Sequence, residues 1–176
     1  MASILNVDKI RANGSTNDAV TVDSTGRMFT PARPAFHAYI GSDQTMTGGN
    51  THQIIPFNTT VFNVGSCFST STYVFTCPVD GIYSFSLQIR IDNADQTTYM
   101  RGMIFNGDNT NTSPWNQHGS VLDSITTGQG TNYQTMVCSG ILKCSANDTV
   151  TALAGHDSDS NIVFQKESQF TGFLVG

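Results

Sequence analysis

The chain has 176 residues, enough for one domain of ordinary size and a short appendage, and only 12% of them are charged. Its net charge is −5 with 8 Lys plus Arg, and Arg11, Arg27, Arg33, Arg90 and Arg101 are scattered, which excludes the clustered basic footprint that a nucleic acid requires. No run approaches the ~18 apolar residues of a membrane-spanning helix, and Asn6 and Asp8 interrupt the apolar N-terminus, so neither membrane insertion nor a secretory signal is expected.

The missing charge is replaced by Ser, Thr, Asn and Gln, with 16 Gly, a composition poor in helix formers and rich in strand and turn formers. An all-β protein follows. Residues 1–34 differ from the rest. Ile4 to Ala12 is expected as a strand, Asn13-Gly14-Ser15 as a turn, Ala19 to Asp23 as a second strand, and Asp23-Ser24-Thr25-Gly26 as another turn. So short a stretch cannot bury a core of its own, whereas three copies wrapped together could. The expectation is a β-rich trimeric stalk; the other reading is a leader that orders only against the following domain. Pro31 and Pro34 block regular pairing and mark the hinge into a head spanning 35–176.

In the head, strands are expected at Phe36 to Ile40, Ile54 to Phe57, Thr60 to Val64 and Thr72 to Thr76, with a soft loop over Gly41 to Thr51. Phe75-Thr76-Cys77-Pro78-Val79-Asp80-Gly81-Ile82-Tyr83-Ser84-Phe85 is the centre of the pattern. Pro78 ends one strand, Asp80-Gly81 supplies a turn with Gly81 tolerating positive φ and Asp80 bonding its own backbone, and a long strand begins at Ile82. Tyr83, Phe85, Leu87, Ile89 and Ile91 fall on one face of it, Ser84, Ser86, Gln88 and Arg90 on the other. Further strands are expected at Thr98 to Phe105, Val121 to Ile125, Tyr133 to Cys144, Thr149 to Gly155 and Gln169 to Val175. Two of these are apolar on both faces: Val137 and Ile141 oppose Met136, Cys138, Leu142 and Cys144, and Phe173 and Val175 oppose Phe170 and Leu174. A sheet apolar on both sides must be covered on both, which points to self-association.

The central stretch resembles the signature of the globular head of the complement first component, q-subcomponent, a trimeric jelly roll related to tumour necrosis factor. Pro34-Ala35-Phe36-His37-Ala38, Ile55-Pro56-Phe57 with Val61 to Gly65, Ser139-Gly140-Ile141-Leu142 with Asn147-Asp148-Thr149-Val150, and Phe170 to Val175 fit that family in order. Asn147-Asp148 stands where the family usually has Gly-Asp, and no collagen repeat precedes the head. The resemblance implies a homotrimeric two-sheet jelly-roll sandwich. Phe57, Phe75, Tyr83, Phe85, Leu87, Met136, Leu142, Phe170, Phe173 and Val175 are expected to fill its core and trimer contacts. Residues 1–34 in turn look like the short β-rich stalks of bacteriophage tail-fibre and receptor-binding proteins.

Signs of catalysis are few. There is no phosphate loop, His-Glu-x-x-His, Cys-x-x-Cys or nucleophile elbow; His37, His52, His118 and His156 share no ligand spacing. Asp157-Ser158-Asp159-Ser160-Asn161 opens like a calcium loop, but Ile162 stands where its Gly belongs and Ser168 where its Glu belongs. With 13 Asp plus Glu and Glu167 the sole Glu, no enzyme is expected. Cys67, Cys77, Cys138 and Cys144 are expected as reduced core thiols.

The expected function is that of a phage virion fibre or appendage protein, assembled in a host cytoplasm, whose head binds a host-surface glycan or outer-membrane receptor. Residues 1–34 would meet other virion proteins. The alternatives are a non-viral complement-like or cytokine-like recognition domain, and a purely structural capsid-decoration or fibre-cap protein. If strands alternate in direction, the loops Asp92 to Thr97, Thr126 to Asn132 and His156 to Asn161 gather at the end away from the stalk, while Asn106 to His118, with Trp115, lies toward it. Receptor contacts are therefore expected from Asp92, Asn93, Asp95, Gln96, Gln129, Asn132, His156, Asp157, Asp159 and Asn161. Asp92, Asp95, Asp157 and Asp159 repeat around a threefold axis, which makes that apex a candidate site for a cation such as calcium; otherwise they are solvated turn residues. No other cofactor is implied.

Overall fold

The computed structural model describes residues 6–48, 52–92, 99–106, 121–127, 133–157 and 160–176, the stretch 121–127 as backbone. All regular structure among them is β-strand. The strands are β1 (Lys9–Ile10), β2 (Val20–Val22), β3 (Met28–Phe29), β4 (Ala35–Tyr39), β5 (Gln44–Met46), β6 (His52–Ile54), β7 (Thr59–Val64) and β8 (Phe68–Ser69). There follow β9 (Val74–Thr76), β10 (Gly81–Asp92), β11 (Tyr99–Asn106), β12 (Val121–Thr127), β13 (Tyr133–Cys144), β14 (Thr149–His156), β15 (Ile162–Phe164) and β16 (Gln169–Leu174).

They form a small three-stranded sheet, β1-β2-β3, and a sandwich of two antiparallel sheets. The larger sheet has seven strands in the order β5-β15-β10-β16-β4-β7, with β13 on the other edge of β10; the second has six, β12-β11-β14-β9-β8, with β6 also on β14. β10 organises the larger sheet. It pairs with β13 from Gly81↔Cys144 to Asp92↔Tyr133, and its opposite edge takes β16 from Tyr83↔Leu174 to Gln88↔Gln169, then β15 at Ile91↔Phe164.

The alternation along β10 is realised: Tyr83, Phe85, Leu87, Ile89 and Ile91 are buried, and Ser84, Ser86, Gln88 and Arg90 are half-buried on the other face. Between the sheets lies an aromatic cluster. Phe36 stacks on Phe68 at 4.7 Å and on Phe75 at 5.1 Å, and meets Phe170 edge-on at 5.0 Å. Phe85 stands edge-on to Phe75 at 5.4 Å and stacks on Phe170 at 6.0 Å. Such pairs add about 0.5–1.5 kcal/mol each beyond the area they bury. Phe57, Met136 and Leu142 complete the core as expected, and all four cysteines are buried free thiols.

Local chemistry explains where the expectation was too simple. Gly81 is the first residue of β10 and not a left-handed turn residue; its lack of a side chain makes room for Leu174, whose Cδ1 would stand 2.5 Å from a Cβ there. Asp80 does not bond its own backbone but accepts the Ala146 N–H at 2.7 Å, tying this turn to the one after β13. Asn147, where the resemblance implied Gly, has φ of 73°, the left-handed conformation that Asn tolerates better than most residues. Gly41 to Thr51 is not wholly loop, because β5 pairs there with β15. Neither β8 nor β15 was expected; two and three residues are too short for periodicity to show.

In the N-terminal segment the strand expected over Ile4 to Ala12 is described from Asn6 onward and is regular only at Lys9–Ile10. Ion pairs stitch this sheet. Asp18 accepts Lys9 Nζ at 2.8 Å and the Arg11 guanidinium, and both hydrogen bonds lower its pKa. Asp23 closes the Asp-Ser-Thr-Gly turn: its Oδ1 accepts the Thr25 N–H at 2.9 Å and the Arg27 N–H at 3.0 Å, and Gly26 takes φ of 83°. The Arg27 backbone N–H first, then the Thr25 hydroxyl and the Arg27 guanidinium, hold the Asp23 carboxyl down at about 2.

Candidate functional site

Two surfaces of the head can do work: the outer face of the seven-stranded sheet and the end of the sandwich away from residues 6–34. The face is built by register. Its successive rows across β13, β10, β16, β4 and β7 are Ile141–Ser84–Phe173–Ala35–Val64, Ser139–Ser86–Thr171–His37–Phe62 and Val137–Gln88–Gln169–Tyr39–Thr59. Its corner beside the base is apolar, for Ile82, Ile141, Phe173 and Val175 are all exposed. Val137 and Tyr133 extend the apolar strip down β13, and Phe62 stands on the far side. Ile141, at 64% exposure, is as bare as a residue on a solvent-facing strand, although it is as greasy as the core.

A polar ladder crosses the middle of this face. His37 Nε2 and Gln169 Oε1 are 2.9 Å apart, and Gln169 Nε2 donates to Gln88 Oε1 at 3.2 Å, so three strands are joined by side chains as well as backbone. The His37 ring meets Phe62 edge-on at 6.0 Å. Toward the distal end, the Arg90 guanidinium lies 5.5 Å from the centre of the Tyr133 ring and 3.7 Å from the Glu167 carboxylate. Nothing in the sequence assigns His37, Gln88 or Gln169 to a site. Their only signal was shared parity with the exposed residues of their strands.

At the other surface, register places the loop ends. Asp92 faces Tyr133, Tyr99 faces Thr127, and Met100 faces His156, so the chain leaving β10, β12 and β14 emerges at one end. Asn106 pairs with Val150 at the opposite end, so the segment after it starts beside the base. Asp92 belongs to β10 and accepts a hydrogen bond from Gln165 Nε2; Asp157 accepts the Tyr99 N–H at 3.1 Å; exposed Asn161 accepts the Gly48 N–H at 3.1 Å. His156 does not belong to a contact surface: it is 1% exposed, the last residue of β14, enclosed near the Thr47 backbone. Burial lowers its pKa, against smaller raising effects of the Thr47 backbone and Asp157. Asn93, Asp95, Gln96, Gln129, Asn132, Asp159 and Trp115 lie outside the described residues. Among the described residues no three His, Cys, Asp or Glu side chains gather in a metal-holding group; Asp92 and Asp157 each have a protein donor.

Two antiparallel sheets packed face to face, with the first head strand β4 beside the last, β16, define a jelly-roll sandwich of the complement and tumour-necrosis-factor type. A model of the C1q domain matches residues 35–175, and the chain belongs to that family. The globular domain of zebrafish complement 1qA protein superposes with a TM-score of 0.53 at 20% identity, over 81% of this chain and 98% of that one. Murine APRIL at pH 5.0 gives 0.57 at 13% identity over 81% and 98%, and the Eiger TNF of S. frugiperda 0.59 at 10% over 82% and 94%. No curated protein matches the chain in sequence. Domains of this family are in general recognition modules without catalytic activity, and no catalytic family matches.

Proposed function

We propose that the chain is a homotrimeric recognition head carried on a virion, in which residues 1–34 form a short β-stalk joined to other virion proteins and the distal loops bind a host-surface receptor, a glycan or an outer-membrane component. The observation that carries the assembly is the outer face of the seven-stranded sheet. Ile82, Tyr133, Val137, Ile141, Phe173 and Val175 are exposed on a fold whose family consists of recognition modules. Burying an apolar side chain of this size is worth about 1.5–3 kcal/mol, so several covered together stabilise a trimer against its monomers. The virion reading draws support from residues 1–34, which the family model does not match and which carry exposed Ile10, Met28 and Phe29 on a sheet too small for a core. The cellular recognition reading shares this fold with the three solved neighbours named above, which come from animals, and is no better supported than the virion reading.

Light scattering should give about three times the 19.0 kDa chain mass, and Ile141→Arg should yield a folded monomer. A stable wild-type monomer at micromolar concentration refutes the assembly. Antibody labelling of intact particles under the electron microscope tests the rest: labelled appendages place the head on a virion. Binding to host cells that survives substitution of the loops after β10, β12 and β14 moves the receptor site off the distal end.

A further inference from the structure

Cys77 directly follows β9, in the six-stranded sheet, and Cys144 is the last residue of β13, in the seven-stranded sheet. The turn that leaves Cys144 folds back onto Cys77: the Cys77 N–H donates to the Asp148 carbonyl at 2.8 Å, and the Asn147 N–H donates to the Cys77 carbonyl at 2.7 Å. Cys144 also pairs with Gly81, just beyond the Pro78 turn that Cys77 enters. Both side chains belong to one apolar core, Cys77 fully buried and Cys144 2% exposed, and each thiol lies close enough to perturb the other's ionisation, while Asn106 Nδ2 donates to Cys144 Sγ at 3.6 Å. Cys67 is nearby, but its Sγ is turned to the Val64 carbonyl at 3.3 Å. Cys138 lies six residues earlier on β13, opposite Leu87. The facing pair is therefore Cys77 and Cys144.

We propose that Cys77 and Cys144 form an oxidative modification site, an inter-sheet disulfide acquired when the chain folds in the presence of a disulfide oxidant such as oxidised glutathione. The two thiols together give up two protons and two electrons as the S–S bond forms; the oxidant's own S–S bond breaks and takes them up as two thiols. Burial raises the pKa of both thiols, strongly for Cys77, and the thiolate is the reacting species. The closed head therefore reacts slowly, and the bond forms while the two sheets come together. Once made, it is shielded from reductants by the same core. It ties the sheets at the base, where β9, β13 and the Asp80–Ala146 contact converge. Such a staple would suit a protein that leaves a reducing compartment, whichever surface it then serves.

The test uses the full chain, unfolded with reductant and refolded with mixed reduced and oxidised glutathione. After denaturation, free thiols should count two where the reduced protein gives four, and peptide mapping should find Cys77 joined to Cys144. Closing so long a loop should raise the melting temperature by roughly 5–15 °C, reversibly on adding reductant. A variant with Cys67→Ala and Cys138→Ala should retain the bond and the shift. Four free thiols in correctly refolded wild-type protein overturn the proposal, and so does a bridge from Cys67 to either residue.

Discussion

One added methyl group at Gly172 should measure how tightly the two sheets are locked. A Cβ there would stand 2.5 Å from Phe85 Cδ1 and 2.7 Å from Phe36 Cε1, while carbon atoms settle at about 3.5–4.0 Å. Neither ring can retreat, because both are 1% exposed and lean on Phe75 and Phe170. Overpacking of this kind costs about 1–3 kcal/mol, offset by roughly 0.5–1 kcal/mol from the stiffer unfolded chain. Gly172→Ala should thus lose about 1–2 kcal/mol net, and Phe85→Ala, which leaves a cavity, about 3–5 kcal/mol. Combined, the two should not add. With the Phe85 ring gone, the methyl enters vacated space and Phe36 can shift aside, so Gly172→Ala should become neutral or mildly stabilising. That is a coupling on the order of 2 kcal/mol. Urea unfolding of the four forms at one protein concentration reads it directly, since stability of an assembly depends on concentration. Additivity within about 0.5 kcal/mol would mean that the Phe85 ring does not cover Gly172, and the register of β10 against β16 would be wrong.

Three other perturbations separate local causes. Asn147→Gly should stabilise by up to about 1 kcal/mol and Asn147→Val should destabilise by about 1–2 kcal/mol in thermal melts, because the φ of 73° favours Gly; equal stabilities refute that geometry. Burial holds the His156 pKa below its usual 6.5, so as pH falls through that value the unfolded chain takes up a proton that the folded one refuses. Stability should fall, with this group's slope approaching about 1.4 kcal/mol per pH unit until the folded ring titrates, and His156→Gln should flatten the urea midpoint between pH 7.5 and 5; an unchanged profile in the variant removes the residue from the account. The Asp23 carboxyl, held near 2 by its turn, supports that turn above the ordinary value of 3.8 and releases it as pH drops toward 2. Thr25 and Arg27 amide resonances should titrate near 2, and a midpoint near the ordinary carboxyl value of about 4 would show the turn open.

What could be read from the sequence was whatever period two could carry. β10 and β13 are long enough for alternation to fix their faces, so the opposition of Val137 and Ile141 to Met136, Cys138 and Leu142 is seen directly in exposure. Strands such as β5, β8 and β15 exist only because partners reach them, and their few residues carry no such pattern. Gly81 illustrates a different limit. A turn residue and a residue that clears space for Leu174 look alike in sequence, and only the packing distinguishes them. His156 shows the same for polar groups: a loop-end histidine reads as solvated until the strand that carries it turns out to run one residue further into the core. The Asp-Ser-Thr-Gly turn was legible because its chemistry is local, complete within Asp23 to Arg27.

The position of β16 has a consequence for biosynthesis. It lies between β4, the first strand of the head, and β10, the longest paired with it, and its end is held by Leu174 N–H to Pro34 and Val175 N–H to Ile82. The strand of the head that leaves the ribosome last is therefore the one that joins its two halves. Until then β4 and β10 present open edges, and the Phe170 ring is missing from the centre of the aromatic cluster. The nascent head must wait in an incomplete, edge-exposed state, the kind of state on which chaperones act and from which chains aggregate. Losing β16 would leave no smaller folded head behind. Since Phe173 and Val175 also sit on the outer face, the apolar surface on which the proposed trimer rests is finished only by the segment that closes the fold, so any such association would follow completion of each head.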